Sequence, residues 1–404
     1  MKKIYTFLFS VSLSIFAFQA TSQTATWTTL TSGVSSHLLG VSAPSRDTCY
    51  VVGNGGVILR TIDGMTFSAQ TSGTGNNLSY VAFIDNNKGF AVGDAGTVLK
   101  TTNAGSSWTS LSLTTQHLRF VYFYNSMLGF ISGANGTLLR TADGGSTWTP
   151  ITSGTSQQIN SIFFTSATTG YFSGFGGVIF KSTDGGATWS ALTSGTTTAL
   201  GILQFTGASN GVVIGDNGMI RKTTDAGATW SLVTSGTTDV LTGFDFINSS
   251  KGFIVGGNIS ANIGNILETN DGGSTWTGSL PGTSRLTRVQ FVNSNTGYAT
   301  GLDGTILKYT SNVGIAENTN AQVTFTAFPN PFRSSATIDL GSYRFKNTGS
   351  LSIFDMTGKL VRKTELVSGS SNCTIYREDL KAGTYLLQLN DGSQIVGQSK
   401  LIAE

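Results

Sequence analysis

Six turns along the chain carry a carboxylate or amide in the same frame: Asp63, Asn103, Asp143, Asp184, Asp225 and Asp271. Each has a Thr or Ser two residues upstream and an aromatic residue shortly downstream, as in Thr141-Ala142-Asp143-Gly144-Gly145-Ser146-Thr147-Trp148. Paired carboxylates can act as general acid and base, but they must face one another across a single bond. Copies spread evenly along a repeat cannot converge on one substrate. A short carboxylate in a turn instead accepts backbone N–H bonds, and the Gly that often follows supplies positive φ. The amide oxygen of Asn103 can replace the carboxylate oxygen in that role. All six are expected to be structural.

Other chemistry is sparse. Between residues 23 and 313 there is one glutamate, Glu268. A hydrolase would have to use Asp245 together with the turn residues Asp94, Asp216 and Asp303. His37 and His117 stand in matching frames but two repeats apart, so no metal site is expected. The chain contains no phosphate loop, Gly-x-Ser-x-Gly elbow or His-Glu-x-x-His helix, and no cofactor is expected. Its two cysteines exclude a disulfide scaffold and a thiolate cluster.

These residues sit on a repeat. An aromatic register runs Trp27, Phe67, Trp108, Trp148, Trp189, Trp230 and Trp276, with spacings of 40, 41, 40, 41, 41 and 46 residues. Upstream of each turn lie an apolar run of the form Leu-x-x-Val-x-Phe and then a second run such as Gly89-Phe90-Ala91-Val92-Gly93. A third run ends at the turn, and a fourth follows the aromatic residue. Four short strands per repeat without a helix predict propeller blades. The last repeat ends at Ile306-Leu307-Lys308-Tyr309-Thr310 with no turn box, while Ala25-Thr26-Trp27-Thr28-Thr29-Leu30 is an orphan fourth strand. Joined, they complete a seventh blade and leave no unpaired edge.

In such a ring, the turns between second and third strands share a face with the starts of the innermost strands. That mouth is the expected binding surface, because loops on a rigid scaffold are where recognition residues are usually placed. Arg119, Arg288 and Asp245 stand on innermost strands, and Phe175 tops the turn of blade four. Blade six carries an insertion, 257–264, that includes Asn258, Ile259 and Asn262. A second pattern precedes the turn box: Arg60, Lys100, Arg140, Lys181, Lys222, Glu268 and Lys308. Because 23–313 holds 13 basic and 13 acidic residues, we read this ring as locally compensated by the box aspartates. Nucleic-acid binding has no support, since no basic patch with interleaved aromatics stands out.

Over all 404 residues, 39% are hydrophobic and only 11% charged, so a folded core is expected rather than disorder. Residues 1–22 read as a secretory signal: Lys2 and Lys3, a short apolar stretch, then Ala20 and Ser22 ahead of the expected cut. After its removal no apolar run is long enough to span a membrane. From 314 to 404 the repeat stops and 17 of the 45 charged residues gather. Short alternating runs separated by Asp-Met-Thr-Gly and Asn-Asp-Gly turns predict a small β-sandwich there. The expected fold is all-β: a seven-bladed β-propeller at 23–313, followed by an immunoglobulin-like β-sandwich at 314–404.

Two resemblances add to this reading. The boxed repeats with Gly-x-x-Gly turns resemble photosystem II stability/assembly factors, which implies a protein-binding scaffold. Sialidases and some large glycoside hydrolases are similar in the box alone. The segments Ala327-Phe328-Pro329-Asn330-Pro331-Phe332 and Phe354-Asp355-Met356-Thr357-Gly358-Lys359-Leu360 resemble the type A sorting domain of the type IX secretion system of Bacteroidetes. Ala382-Gly383-Thr384-Tyr385-Leu386 and a last strand ending Lys400-Leu401-Ile402 continue the likeness. On that resemblance the sorting residues are Pro329, Asn330, Pro331, Asp355, Gly358, Gly383, Tyr385 and Lys400. The domain then engages the type IX machinery, directs the propeller across the outer membrane and is removed. Cys373 would leave with it, so no bond to Cys49 is expected. The chain is thus expected to be exported cargo, secreted or surface-attached, that binds an extracellular protein or glycan. The alternative is a carbohydrate-active enzyme using channel-mouth carboxylates.

Overall fold

The structure, a computed structural model, describes residues 25–311, 325–340, 343, 345, 349–356, 358–367, 370–378, 380–392 and 394–404. The expected signal at 1–22 lies outside the described residues. The chain divides into two compact units, with the boundary between Asn312 and Val313.

The first unit contains seven four-stranded antiparallel sheets. In blade one the strands are Leu38–Ser42, Cys49–Gly53, Ile58–Thr61 and Ser68–Gln70. The same succession recurs through blade six, which ends with Thr277–Ser279. Blade seven takes its first three strands from Leu286–Asn293, Thr296–Gly301 and Ile306–Ser311, and its fourth from Ala25–Leu30. Trp27 there pairs with Tyr309, and the whole strand is antiparallel to Ile306–Ser311. First strands of successive blades pack side by side round a closed circle, blade seven against blade one. The Thr287 hydroxyl donates to the Leu38 carbonyl at 2.6 Å across that seam.

Second strands are buried along their whole length in blades one to five, which is why they read as continuous apolar runs rather than alternating ones. The aromatic register fills the gaps between blades. Trp148 of blade three meets Phe90 of blade two edge-on at 5.7 Å and Phe123 of its own blade at 5.9 Å. Trp189 does the same against Phe130 and Phe164. Each fully buried side chain of this size contributes roughly 1.5–3 kcal/mol of transfer free energy.

The Gly-x-x-Gly turn has a specific cause, seen at Gly133 and Gly136. A Cβ on Gly133 would overlap the His117 carbonyl, which accepts from the Ala134 N–H at 2.8 Å. Gly136, at φ 65°, lies against the Thr155 carbonyl of the linker to blade four. These two glycines let the turn dock onto the segments leading into its own and the next innermost strand.

The second unit holds a three-stranded sheet, Thr326–Phe328, Ser335–Asp339 and Asn372–Tyr376. It also holds a four-stranded sheet with Gly349–Asp355 and Gly383–Asp391 at its centre, flanked by Leu360–Leu366 and Gln394–Ala403. Phe332, Ile338, Leu351, Leu387 and Leu401 form its core. Both cysteines are free thiols.

Candidate functional site

The six box residues are held by their own turns. Asp143 Oδ1 accepts from the Thr141 hydroxyl at 2.8 Å and from the N–H groups of Ser146 and Thr147 at 2.9 Å. Its Oδ2 accepts from the Thr147 hydroxyl at 2.6 Å. Asp184, Asp225 and Asp271 repeat the pattern, and Asp63 accepts from Thr61, Met65 and Thr66. Asn103 Oδ1 accepts from Thr101 and Ser107 at 3.0 Å, as the amide substitution requires. Donors from hydroxyls and backbone hold Asp184 and Asp225 at about 2 and Asp63, Asp143 and Asp271 lower still.

The basic ring is compensated differently from expectation. Four of its cations reach not the box carboxylates but backbone carbonyls of the next blade's box, and Lys222 reaches the Ser274 hydroxyl at 2.7 Å. Lys100 Nζ donates to Gly145 O at 3.1 Å, Arg140 Nε to Gly185 O at 2.9 Å, Lys181 Nζ to Ala226 O at 3.2 Å and Lys308 Nζ to Gly64 O at 3.0 Å. Three or four donors already surround each of these carboxylates, leaving the carbonyls as the open acceptors. In blade six Glu268 takes the ring position, and Lys251 from a neighbouring loop meets it at 3.1 Å.

A second set of cross-blade bonds lies inside the ring, and sequence reading missed it. The residue four places after the first apolar position of an innermost strand accepts an N–H from the next blade. Ser42 accepts from Phe83, Tyr122 from Phe164, Gln204 from Phe246, Asp245 from Phe291 and Gln290 from Ala43. Asp245 Oδ2 to Phe291 N is 2.6 Å, and Oδ1 accepts from Gln204 Nε2 at 3.0 Å. Burial raises its carboxyl to about 6 despite those donors. This residue does not stand at the mouth with the turn aspartates. It lies towards the far end of its strand, pairing with Phe253, whereas Leu241 at the mouth end pairs with Gly256. Asp94 is engaged by His117 Nδ1 at 3.0 Å, and Asp303 by Ser284 and Asn262 at 2.9 and 2.8 Å. Among the described residues no three His, Cys, Asp or Glu side chains gather to hold a metal.

Arg119, Phe175 and Arg288 do come together. They line one mouth cavity of about 220 Å³ with Gln158, Asn160 and Asp216. Arg288 reaches it from blade seven; its Nη1 donates to the carbonyls of Thr242 and Thr287 at 2.6 and 2.8 Å, and its Nε has no partner among the described residues. Its guanidinium lies 5.6 Å over the Tyr80 ring. Burial, with Arg119 nearby, lowers its pKa. Desolvation likewise raises the Asp216 carboxyl. Arg288 also lines the channel interior, about 160 Å³, with Tyr80, Asp245 and Gln290.

Asn258, Ile259 and Asn262 belong to a separate part of this face. The insertion lengthens both strands of a hairpin, pairing Asn258 with Ile263. Asn258 and Asn265 donate to Asp239, tying the hairpin root beside the cavity-lining Val240. Asn262 Nδ2 donates to Asp303, drawing the tip towards blade seven and leaving Ile259 65% exposed.

This architecture has known counterparts. A family model described as photosynthesis system II assembly factor YCF48 matches residues 19–119 and 106–234, together more than half of the chain. The chain belongs to the YCF48 family. The secretion system C-terminal sorting domain matches residues 326–404. A solved structure of YCF48 bound to D1 peptide is similar at TM-score 0.60 and 20% identity, over 70% of this chain and 97% of that one. YCF48 from Cyanidioschyzon merolae gives 0.58 and 18%, over 70% and 98%. The GH74 enzyme of Niastella koreensis gives 0.58 and 16%, over 93% of this chain and 74% of that one. At these identities the structural likeness establishes the fold alone. Among curated proteins, no sequence matches.

The sorting-domain match makes this YCF48-family propeller type IX secretion cargo. Its signature residues converge within the second unit. Asn330, between Pro329 and Pro331, donates to the Lys400 carbonyl at 2.9 Å and accepts from the Ile402 N–H at 2.8 Å, clamping the last strand. Asp355 accepts from the Lys359 N–H across the Gly358 turn, where φ is 85°. Tyr385 is buried, its hydroxyl donating to Lys381 O. Gly383 opens the strand that carries Tyr385.

Proposed function

We propose that the exported propeller is a non-catalytic binding scaffold outside the cell or on its surface, and that its channel mouth captures a carboxylate-bearing peptide segment. The observation that carries this reading is the half-buried Arg288 guanidinium. It shares one cavity with Arg119 and the half-exposed Phe175, and no described acid forms an ion pair with it. A desolvated cation beside an aromatic ring suits a carboxylate, because charge-assisted bonds are about twice as strong as neutral ones. A YCF48 structure with a bound peptide, D1, supports the same class of partner. The hairpin rooted beside the cavity-lining Val240 offers the exposed Ile259 as a second, separate apolar contact on the same face.

The test uses the full-length protein, acidic peptides with free or amidated C-termini, and a polysaccharide panel assayed for released sugar. Binding of a free-carboxylate peptide that weakens tenfold or more in Arg288→Gln supports the reading. Binding indifferent to Arg288→Gln would remove the mouth from consideration, and release of sugar would replace the scaffold by a carbohydrate-active enzyme.

A further inference from the structure

Arg60 is a ring cation that the next blade's box does not hold. Lys100, Arg140, Lys181 and Lys308 each donate to a box carbonyl. At the first blade the equivalent Ala104 carbonyl accepts from the Tyr50 hydroxyl at 2.9 Å, as Ala226 does from Tyr171, but it receives no bond from Arg60, whose buried Nε is without a partner among the described residues. The guanidinium lies 5.7 Å over the Tyr50 ring, and no described carboxylate forms an ion pair with it.

Arg60 lines a cleft of about 380 Å³ between blades one and two, with Ile62, Thr66, Ser68, Gln70 and Ser106. The same wall continues into a second cavity of about 510 Å³ bounded by Ser72, Asn76, Thr97, Trp108 and Thr114. Residues 68–74 therefore border both cavities in succession, running from the box face towards the mouth face. Trp108 stands between them, its Nε1 donating to Gln70 at 3.4 Å.

We propose that this cleft binds an extended acidic polysaccharide, with Arg60 pairing a sugar carboxylate and the hydroxyl-rich wall meeting sugar hydroxyls. One cation along a long polar wall fits a chain with well-spaced carboxylates. A nucleic acid carries a charge at every residue and requires several cations. A peptide adding as a strand would find only Ser68–Gln70 to pair with, too short an edge for strand addition. This inference is independent of the peptide-binding mouth, which lies at the other end of the blades' third strands.

The full-length protein is titrated with a hyaluronan tetrasaccharide, whose uronates alternate with neutral sugars, and, separately, with cellotetraose, and thermal melts check that each variant is folded. We expect the uronate to bind more tightly than the neutral sugar and Arg60→Gln to weaken it tenfold or more. Ser68→Trp, on the exposed outer strand, should block the cleft even if Arg60→Gln disturbs the ring. Arg288→Gln should leave uronate binding unchanged. No uronate binding, equal binding of the two sugars, or binding indifferent to both Arg60→Gln and Ser68→Trp would overturn the proposal.

Discussion

Asp245 of blade six accepts a 2.6 Å hydrogen bond from the backbone N–H of Phe291 in blade seven. The bond belongs to a set in which innermost strands are tied to their successors by one side chain each. Of the five acceptors, Asp245 alone is ionisable at physiological pH, and burial sets it near 6 instead of 3.8.

That shift fixes the sign of a pH effect. The native carboxyl holds its proton more tightly than the unfolded chain does, so folding takes up a proton between about pH 4 and 6. This group's contribution is present below the unfolded value and lost as the pH rises through 6. Ionisation of so buried a group costs on the order of 2 kcal/mol at pH 7. Denaturant unfolding of wild type and Asp245→Asn, at pH 7.5 and 4.5, should show wild type gaining about that much relative to the variant at the lower pH. A difference between the two proteins that stays constant with pH would contradict it.

The boxes predict the opposite slope at lower pH. Asp184 and Asp225 titrate at about 2, below their ordinary 3.8, because hydroxyl and backbone donors favour the anion. Their stabilisation is present above pH 4 and disappears as the pH falls towards 2. Asp184→Asn keeps an acceptor, as Asn103 does, and should flatten this acid limb without abolishing folding. The measurement is the melting temperature between pH 4 and 2; an unchanged limb counts against the assignment.

Ring closure depends on Trp27. It meets Phe253 of blade six and Phe291 and Tyr309 of blade seven, with ring centroids 5.9, 5.9 and 5.2 Å away. Trp27→Ala should cost about 3–5 kcal/mol. Hydrogen exchange should rise first in Ala25–Leu30 and Ile306–Ser311, the paired closing strands. Uniform exchange across all blades would mean that closure is not the weak seam.

Export should depend on the second unit. Asn330 clamps Lys400–Ile402, so both deletion of 314–404 and Asn330→Ala should leave the propeller in the periplasm, the point change more weakly. Cell fractionation reads the outcome, and normal release of the deletion would exclude a sorting role.

Much of this architecture was legible in one dimension. The aromatic register, the turn boxes and the orphan strand at Ala25–Leu30 set the number of strands and how the circle closes, because a repeat must bury the same face each time. The box aspartates were legible too, since all their partners lie within four residues. What only the tertiary structure decided are the bonds between blades. Ring cations end on box carbonyls 45 residues ahead, and Asp245 on an N–H 46 residues ahead. Periodicity says that neighbouring blades touch, but the partner atom depends on how two twisted sheets stack. The convergence of Arg119, Phe175 and Arg288 has the same cause: they come from blades three, four and seven, and only closing the circle brings them to one cavity.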